Sequence, residues 1–240
     1  MAGEVKKMDW FLPATLAFLA ILAAYFLPTL LPRPFLPAKH YAAAQLIELP
    51  RPARSNISFE DALLARRSVR DYTDESISPS ELAALLFAAQ GMSGEGKRTA
   101  PSAGALYPLE LYVLVSRVEG IAPGAYHYNS ANNSLELVAA GDYRERIARA
   151  AADQPWVGNA AVVVVFAALM HRTTAKYGAR GVQYVWIEAG HASQNLLLQA
   201  AALGLGAVPI GAFNEDEVRH LLNLSADEEV IYLNIVGRPA

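Results

Sequence analysis

The stretch from Val182 to Leu203 constrains this chain more than any other. Apolar residues recur through it at helical spacing and Gly204 follows as a stop, which predicts one long helix. The helix is apolar around most of its circumference, whereas a helix at a globular surface keeps a polar face. It must lie at the centre of the fold or against a partner, and no internal repeat lets one chain supply both halves.

Around it the pattern mixes helices and strands. Ser58 with Asp61 resembles a capping box and opens a helix over Ser58–Arg67. Ser78-Pro79-Ser80-Glu81 offers an N-cap, a first-turn proline and an acidic third position for a helix that stops at Gly91. Enrichment in Val and Leu predicts strands over Glu110–Ser116 and Ala161–Leu169. A hairpin is expected from Ala125–Asn129 and Ser134–Val138 around Ala131-Asn132-Asn133.

Residues 1–31 form a different unit. No charged residue occurs from Trp10 to Leu31, a run long enough for a helix to cross a hydrocarbon core of about 30 Å. It reads as a membrane anchor, with a cleaved signal peptide or a buried helix as alternatives; no clear small-x-small cleavage site follows it. Lys6 and Lys7 precede the run, and Arg33, Lys39, Arg51 and Arg54 follow it, so the positive-inside comparison favours a cytoplasmic domain. Residues 32–56, rich in Pro and Ala, read as a partly extended tether, which leaves 57–240 as the globular domain.

Two segments carry the chemistry. Arg66-Arg67-Ser68-Val69-Arg70 sets three guanidiniums and a hydroxyl in five residues, a density of planar donors suited to phosphate or another anion, although a charged helix end would look the same. Pro101-Ser102-Ala103-Gly104-Ala105-Leu106-Tyr107-Pro108 is built from small residues and prolines. Such a loop brings rigid backbone close to a flat ligand, or is simply a tight turn.

In this order the two segments resemble the flavin-binding signature of the nitroreductase superfamily, and the loop, continuing Leu109-Glu110, is most similar to the SagB-type dehydrogenase branch. Lys176-Tyr177-Gly178, Glu188-Ala189-Gly190-His191, Gln194-Asn195-Leu196, Ala202-Leu203-Gly204-Leu205-Gly206 and Pro209-Ile210-Gly211-Ala212-Phe213 follow in family order. The resemblance runs from about Ile57 to the C-terminus. It implies an α+β, nitroreductase-like fold with a central mixed, mostly antiparallel sheet flanked by helices. It also implies an intertwined homodimer around the long helix, with FMN between the subunits.

The same resemblance distributes the site. Arg66 and Ser68 would hold the phosphate and ribityl end, Arg67 would contribute backbone, and Arg238 would help the phosphate. Arg70 would face the pyrimidine edge, where its charge favours the reduced ring. Pro101, Ser102, Ala103 and Gly104 would come from the other subunit, and Gly211 or Ala212 would offer an amide near N5. Lys176-Tyr177 matches a pair implicated in that branch in oxidising peptide azolines to azoles, where one residue removes a proton while the flavin takes hydride. Arg172 or Arg180 is the candidate neighbouring cation, and an exposed lysine beside a packing tyrosine is the alternative.

Some positions depart from the wider family. Ala105 stands where classical nitroreductases often carry asparagine, Ile210 where an acidic residue is common, and fewer basic residues follow the last strand. The implied activity is an FMN-dependent oxidoreductase moving hydride to or from a small organic or peptide-derived substrate, with NAD(P)H as candidate co-substrate. An NAD(P)H-dependent nitro- or quinone reductase, and a non-catalytic flavin-holding protein attached to the membrane, are the alternatives.

Other chemistries are excluded or disfavoured. The chain has no cysteine, hence no catalytic thiol, and a formal net charge of -3 with no broad basic face for nucleic acid. Gly91–Lys97 approaches a phosphate-binding P-loop, but Arg98 occupies the place of the magnesium-binding hydroxyl. Gly204-Leu205-Gly206 ends a helix where a dinucleotide fingerprint would open one. His127, His171, His191 and His220 lack ligand spacing, so no metal is expected, and no Gly-x-Ser-x-Gly hydrolase turn occurs.

Overall fold

The computed structural model describes residues 46–94 and 96–240. The apolar run Trp10–Leu31, expected as an anchor, and the tether before residue 46 lie outside the described residues. Among the described residues no helix is long and apolar enough to cross a membrane.

The core is a seven-stranded sheet. Its strands are β1 (Leu46–Glu48), β4 (Leu109–Val115), β5 (Gly124–Asn129), β6 (Ser134–Ala140), β7 (Val162–Leu169), β8 (Gly206–Ile210) and β9 (Glu228–Gly237), in the order β1-β6-β5-β4-β7-β9-β8. Every pairing in it is antiparallel. Parallel pairing occurs only in isolated bridges among the described residues, Ser68 to Ala207 on the outer edge of β8 and Ile77 to Val118. A separate small hairpin joins β2 (Met92–Gly94) and β3 (Lys97–Arg98).

The inner strand β7 explains the layering. All eight residues of β7 are buried, because both sheet faces are covered and period-2 side chains feed two cores. Val162, Val164, Phe166 and Ala168 join one core with Leu82, Leu85, Val185 and Leu196. Those last four belong to α2 (Pro79–Gln90) and α6 (Arg180–Ala202). Val163, Val165 and Ala167 join the other with Ile147, Val157 and Val218, from α3 (Arg144–Ala150), α4 (Pro155–Gly158) and α7 (Glu215–Leu221).

Local rules set most element ends. Helix α1 (Phe59–Ala65) and helix α2 each begin with a full capping box, on Ser58 with Asp61 and on Ser78 with Glu81. Helix α1 is shorter than the expected Ser58–Arg67, since Ser58 is the cap and Arg66 already has extended backbone. Helix α6 spans 23 residues and one stripe of it is buried, including Val185, Ala189, Ala192 and Leu196. Its remaining apolar side chains Val182, Trp186 and Ile187 face outward on this chain.

The boundary placed at residue 56 needs correction. Leu46–Glu48 pairs with β6, the Leu49 amide donates to the Asn133 carbonyl at 3.0 Å, and Leu49 is buried. The open edge of β6 offered backbone partners to this segment, and edge pairing outweighed its Pro and Ala content.

Between Thr174 and helix α6 the packing leaves no spare room. Helix α5 (His171–Tyr177) is followed by Gly178 and then α6, and a Cβ on Gly181 would lie 2.8 Å from the Thr174 Cα and 2.9 Å from its nitrogen. Backbone cannot swing aside as a side chain can. Gly181→Ala is therefore expected to destabilise the domain by about 1–3 kcal/mol as an overpacking change. Thermal unfolding followed by circular dichroism checks this, and an unchanged midpoint would show that α5 shifts freely on α6.

Candidate functional site

The turn after β3 has strained backbone at three positions. Gly104, Ala105 and Tyr107 have φ of 63°, 53° and 45°, a left-handed conformation that is costly for residues with a Cβ. Ser102 holds the turn shut: its carbonyl accepts from the Ala105 amide at 3.0 Å and its Oγ accepts from the Tyr107 amide at 2.9 Å. At Gly104 a Cβ would lie 2.8 Å from the Tyr177 hydroxyl and 3.2 Å from Lys176 Nζ. Its left-handed backbone favours glycine, and Lys176 and Tyr177 converge on the Pro-Ser loop within one chain.

Helix α5 is fastened where that convergence needs it. Arg172, one turn before Lys176, pairs with Glu110 at 2.7 Å and donates to the Tyr107 carbonyl at 3.0 Å. Arg180 lies 5.9 Å from the Tyr184 ring, which packs edge-on against Tyr177. Both arginines expected as a neighbouring cation for Lys176 thus have other partners.

Beneath the loop lies a set of charges the sequence reading did not single out. Arg98 donates to Gln90 at 2.8 Å and to the Leu109 carbonyl at 3.1 Å, and stacks over the Tyr107 ring. His127 Nε2 lies 3.0 Å from Glu110 and its Nδ1 3.3 Å from Glu136, all three buried. Burial opposes ionisation of Glu110, but His127, Arg172 and Arg98 outweigh it and hold the carboxyl below its usual range.

Glu188, on the buried stripe of α6, behaves in the opposite way. It is 2% exposed, and burial pushes its carboxyl up to about 7, with Ser102 and Arg98 pulling back. Among the described residues its Oε1 has no hydrogen-bond partner. The available signal was a carboxylate inside an otherwise apolar helical stripe.

The basic cluster is placed elsewhere. Residues 66–70 leave α1 and run along the outer edge of β8, where the Val69 amide donates to the Ala207 carbonyl at 3.1 Å. Arg67, Ser68 and Arg70 are exposed, and Arg66 is partly so. Among the described residues the Arg66, Arg67 and Ser68 side chains make no hydrogen bond or ion pair, while the Arg70 guanidinium lies 5.5 Å from the Trp156 ring. Gly211 and Ala212, both exposed, follow the last residue of β8, about 13 Å along the strand from Ala207.

Arg238 is not turned to that cluster. Its two terminal nitrogens grip the Glu81 carboxylate at 2.9 Å each, which fixes the chain end to the start of α2. The help to a phosphate expected of Arg238 would require it to leave this bidentate pair.

The two segments singled out in the sequence therefore stand apart on one chain. The Pro101–Gly104 loop and α5 stand where β4 begins and β7 ends, while Ser68 stands where β8 begins, beside the start of β7. That separation along the sheet is about 20 Å at the rise of a strand.

Comparison with known proteins identifies the family. The family model described as Nitroreductase family matches residues 63–238. A nitroreductase-type protein of Methanocaldococcus jannaschii is 42% identical over 193 residues, covering 80% of this chain and 96% of that one. A nitroreductase-type structure from Anabaena variabilis superposes with a TM-score of 0.73 at 30% identity, over 83% of this chain and 42% of that one. The Microcin B17-processing protein of Escherichia coli is 28% identical over 136 residues, 55% of this chain and 50% of its own length.

Glu188 gives the site a measurable pH signature. Between the ordinary value of 4.5 and about 7 the folded chain keeps this proton while the unfolded chain loses it. Stability should therefore fall as pH rises through that window, by about 3 kcal/mol, and then level off. Glu188→Gln should remove this slope. Urea unfolding from pH 4.5 to 8 tests it, and an equal slope in the variant would assign the titration to another group.

Proposed function

The chain is an oxidoreductase of the Nitroreductase family, and from that premise we propose that it is an FMN-dependent dehydrogenase of the SagB type, acting on a small organic or peptide-derived substrate. The observation that carries this reading is the meeting of Lys176 Nζ and Tyr177 Oη at Gly104. A lysine and a tyrosine placed together at a strained loop are suited to proton transfer. The similarity to a Microcin B17-processing protein supports a substrate of peptide origin.

The residues fit FMN. Arg66, Arg67 and Ser68 present unpaired donors on an exposed edge, as an anionic phosphate needs. The open backbone after Ile210 offers amides further along the same edge, with Arg70 as a second cation. Bound there, FMN would supply the two-electron hydride acceptor or donor. Lys176 Nζ or Tyr177 Oη would take the proton from the substrate atom next to the departing hydride, and the small side chains at Ala103 and Gly104 leave the approach open. Arg172, through Glu110 and the Tyr107 carbonyl, keeps α5 and the loop in register.

A homodimer completes this reading. Half-sites about 20 Å apart meet if a second copy sets its loop against the β8 edge of the first. Phe59 and Leu64 on α1 and Trp186 and Ile187 on α6 are 64%, 86%, 48% and 54% exposed, more apolar surface than a solitary domain leaves in water.

Two outcomes are expected. The purified protein releases FMN on denaturation, and Lys176→Ala keeps FMN content while slowing turnover about a hundredfold or more; chromatography of the released cofactor and steady-state rates check both. An unaffected rate with NAD(P)H and quinones would favour a plain reductase, and loss of FMN would make Lys176 structural. Light scattering should show a dimer, and Ile187→Glu should shift it toward monomer with loss of bound FMN. A monomer with full FMN would refute the shared site.

A further inference from the structure

We propose that Tyr72 is a positioning residue for the basic segment: its hydroxyl clamps the Val69 carbonyl and so holds Ser68 and Arg70 turned outward from the sheet. This rests on the reading of that edge as the place where FMN is held.

Val69 is fixed through its amide, its carbonyl and its side chain. The amide donates to the Ala207 carbonyl on β8 at 3.1 Å, and the carbonyl accepts from the Tyr72 hydroxyl at 2.6 Å. The side chain lies in a gap left by Gly206, where a Cβ would come within 2.6 Å of Val69 Cγ1. Ser68 and Arg70 are exposed while Val69 is half-buried, the alternation of an extended segment lying on a sheet edge. Holding this one residue therefore holds the hydroxyl and the guanidinium on either side of it outward.

Tyr72 can hold that carbonyl because it is itself immobilised. It is buried, and its ring fills the space beside Gly237, where a Cβ would lie 2.9 Å from Tyr72 Cδ1. Gly206 and Gly237 are register partners across β8 and β9, so two missing side chains form one notch that takes Val69 and Tyr72 together. The backbone of Tyr72 bridges to Pro239. On either side of it the Thr73 amide donates to the Arg238 carbonyl at 3.0 Å, and the Asp71 carbonyl accepts from the Ala240 amide at 3.2 Å. The residues that follow the basic cluster are thus tied to Arg238–Ala240, and the bond from Tyr72 to Val69 carries that anchorage back into the cluster. Without the hydroxyl the Val69 carbonyl loses its donor, and the peptide leading to Arg70 is free to turn.

Two measurements on the full chain test the proposal. Hydrogen exchange, read by mass spectrometry on the segment that contains the Val69 amide, should quicken about fivefold in Tyr72→Phe, the worth of one intramolecular hydrogen bond. Titration with FMN, followed by flavin fluorescence, should show binding weakened about fivefold in the same variant. In a background of Ser68→Ala with Arg70→Ala, Tyr72→Phe should alter FMN affinity by less than about twofold, because the groups it positions are gone. Gly206→Ala, which presses on Val69 from the other side, should quicken exchange and weaken FMN binding with Tyr72 intact, and it decides if Tyr72→Phe does not fold. Unchanged exchange in Tyr72→Phe overturns the proposal whether or not FMN binds. Faster exchange with unchanged FMN affinity, or an equal loss of affinity in the double-alanine background, makes the hydroxyl merely structural and overturns it as well. A wild-type chain that takes up no FMN overturns the cofactor reading instead, and the exchange result alone then decides the clamp.

Discussion

The ion pair between Arg172 and Glu110, 2.7 Å long with both side chains less than a tenth exposed, holds the functional end of this fold together. Arg172 belongs to α5, Glu110 to the central strand β4, and the same guanidinium reaches the carbonyl of Tyr107 in the strained loop. A helix more than sixty residues further along the chain is thereby fixed both to the strand and to the loop that leads into it. Loss of either partner would leave a buried charge with weaker compensation, and breaking a buried pair costs several kcal/mol where it has been measured. His127 extends the arrangement to Glu136 on β6, so the loop is tied to the middle of the sheet and not to its own flanks alone.

The second constraint is the sheet covered on both faces. Because β7 feeds alternate side chains into two cores, helices must lie on both sides, and α6 takes the position that crosses its face. One stripe of α6 is satisfied by the sheet; Val182, Trp186 and Ile187 are not. The same helix thus packs on the sheet along one stripe and leaves an apolar patch at the surface of this chain, and the Arg66–Arg70 segment and the Lys176-Tyr177 pair lie at opposite ends of the strands it crosses.

Much of this was legible in the residues. Ser58 with Asp61, and Ser78 with Glu81, announced two helix starts because a capping box is closed within four residues. The Val-rich run of β7, the hairpin β5–β6 and the stop at Gly204 were equally local, and the order of Arg66–Arg70, the Pro-Ser loop and Lys176-Tyr177 led to the family. What the sequence determined by itself is therefore what neighbours in the chain can enforce: periodicity, caps, turns and the motif residues. Only the tertiary structure decided that Leu46–Glu48 completes the sheet, that Arg238 is engaged by Glu81 from 157 residues away, and that Glu188 is a buried acid beside Ser102. The reason is physical: sheet edges, buried charges and desolvated carboxyls acquire their partners only when distant segments pack and exclude water, and residue spacing carries no record of which segments those will be.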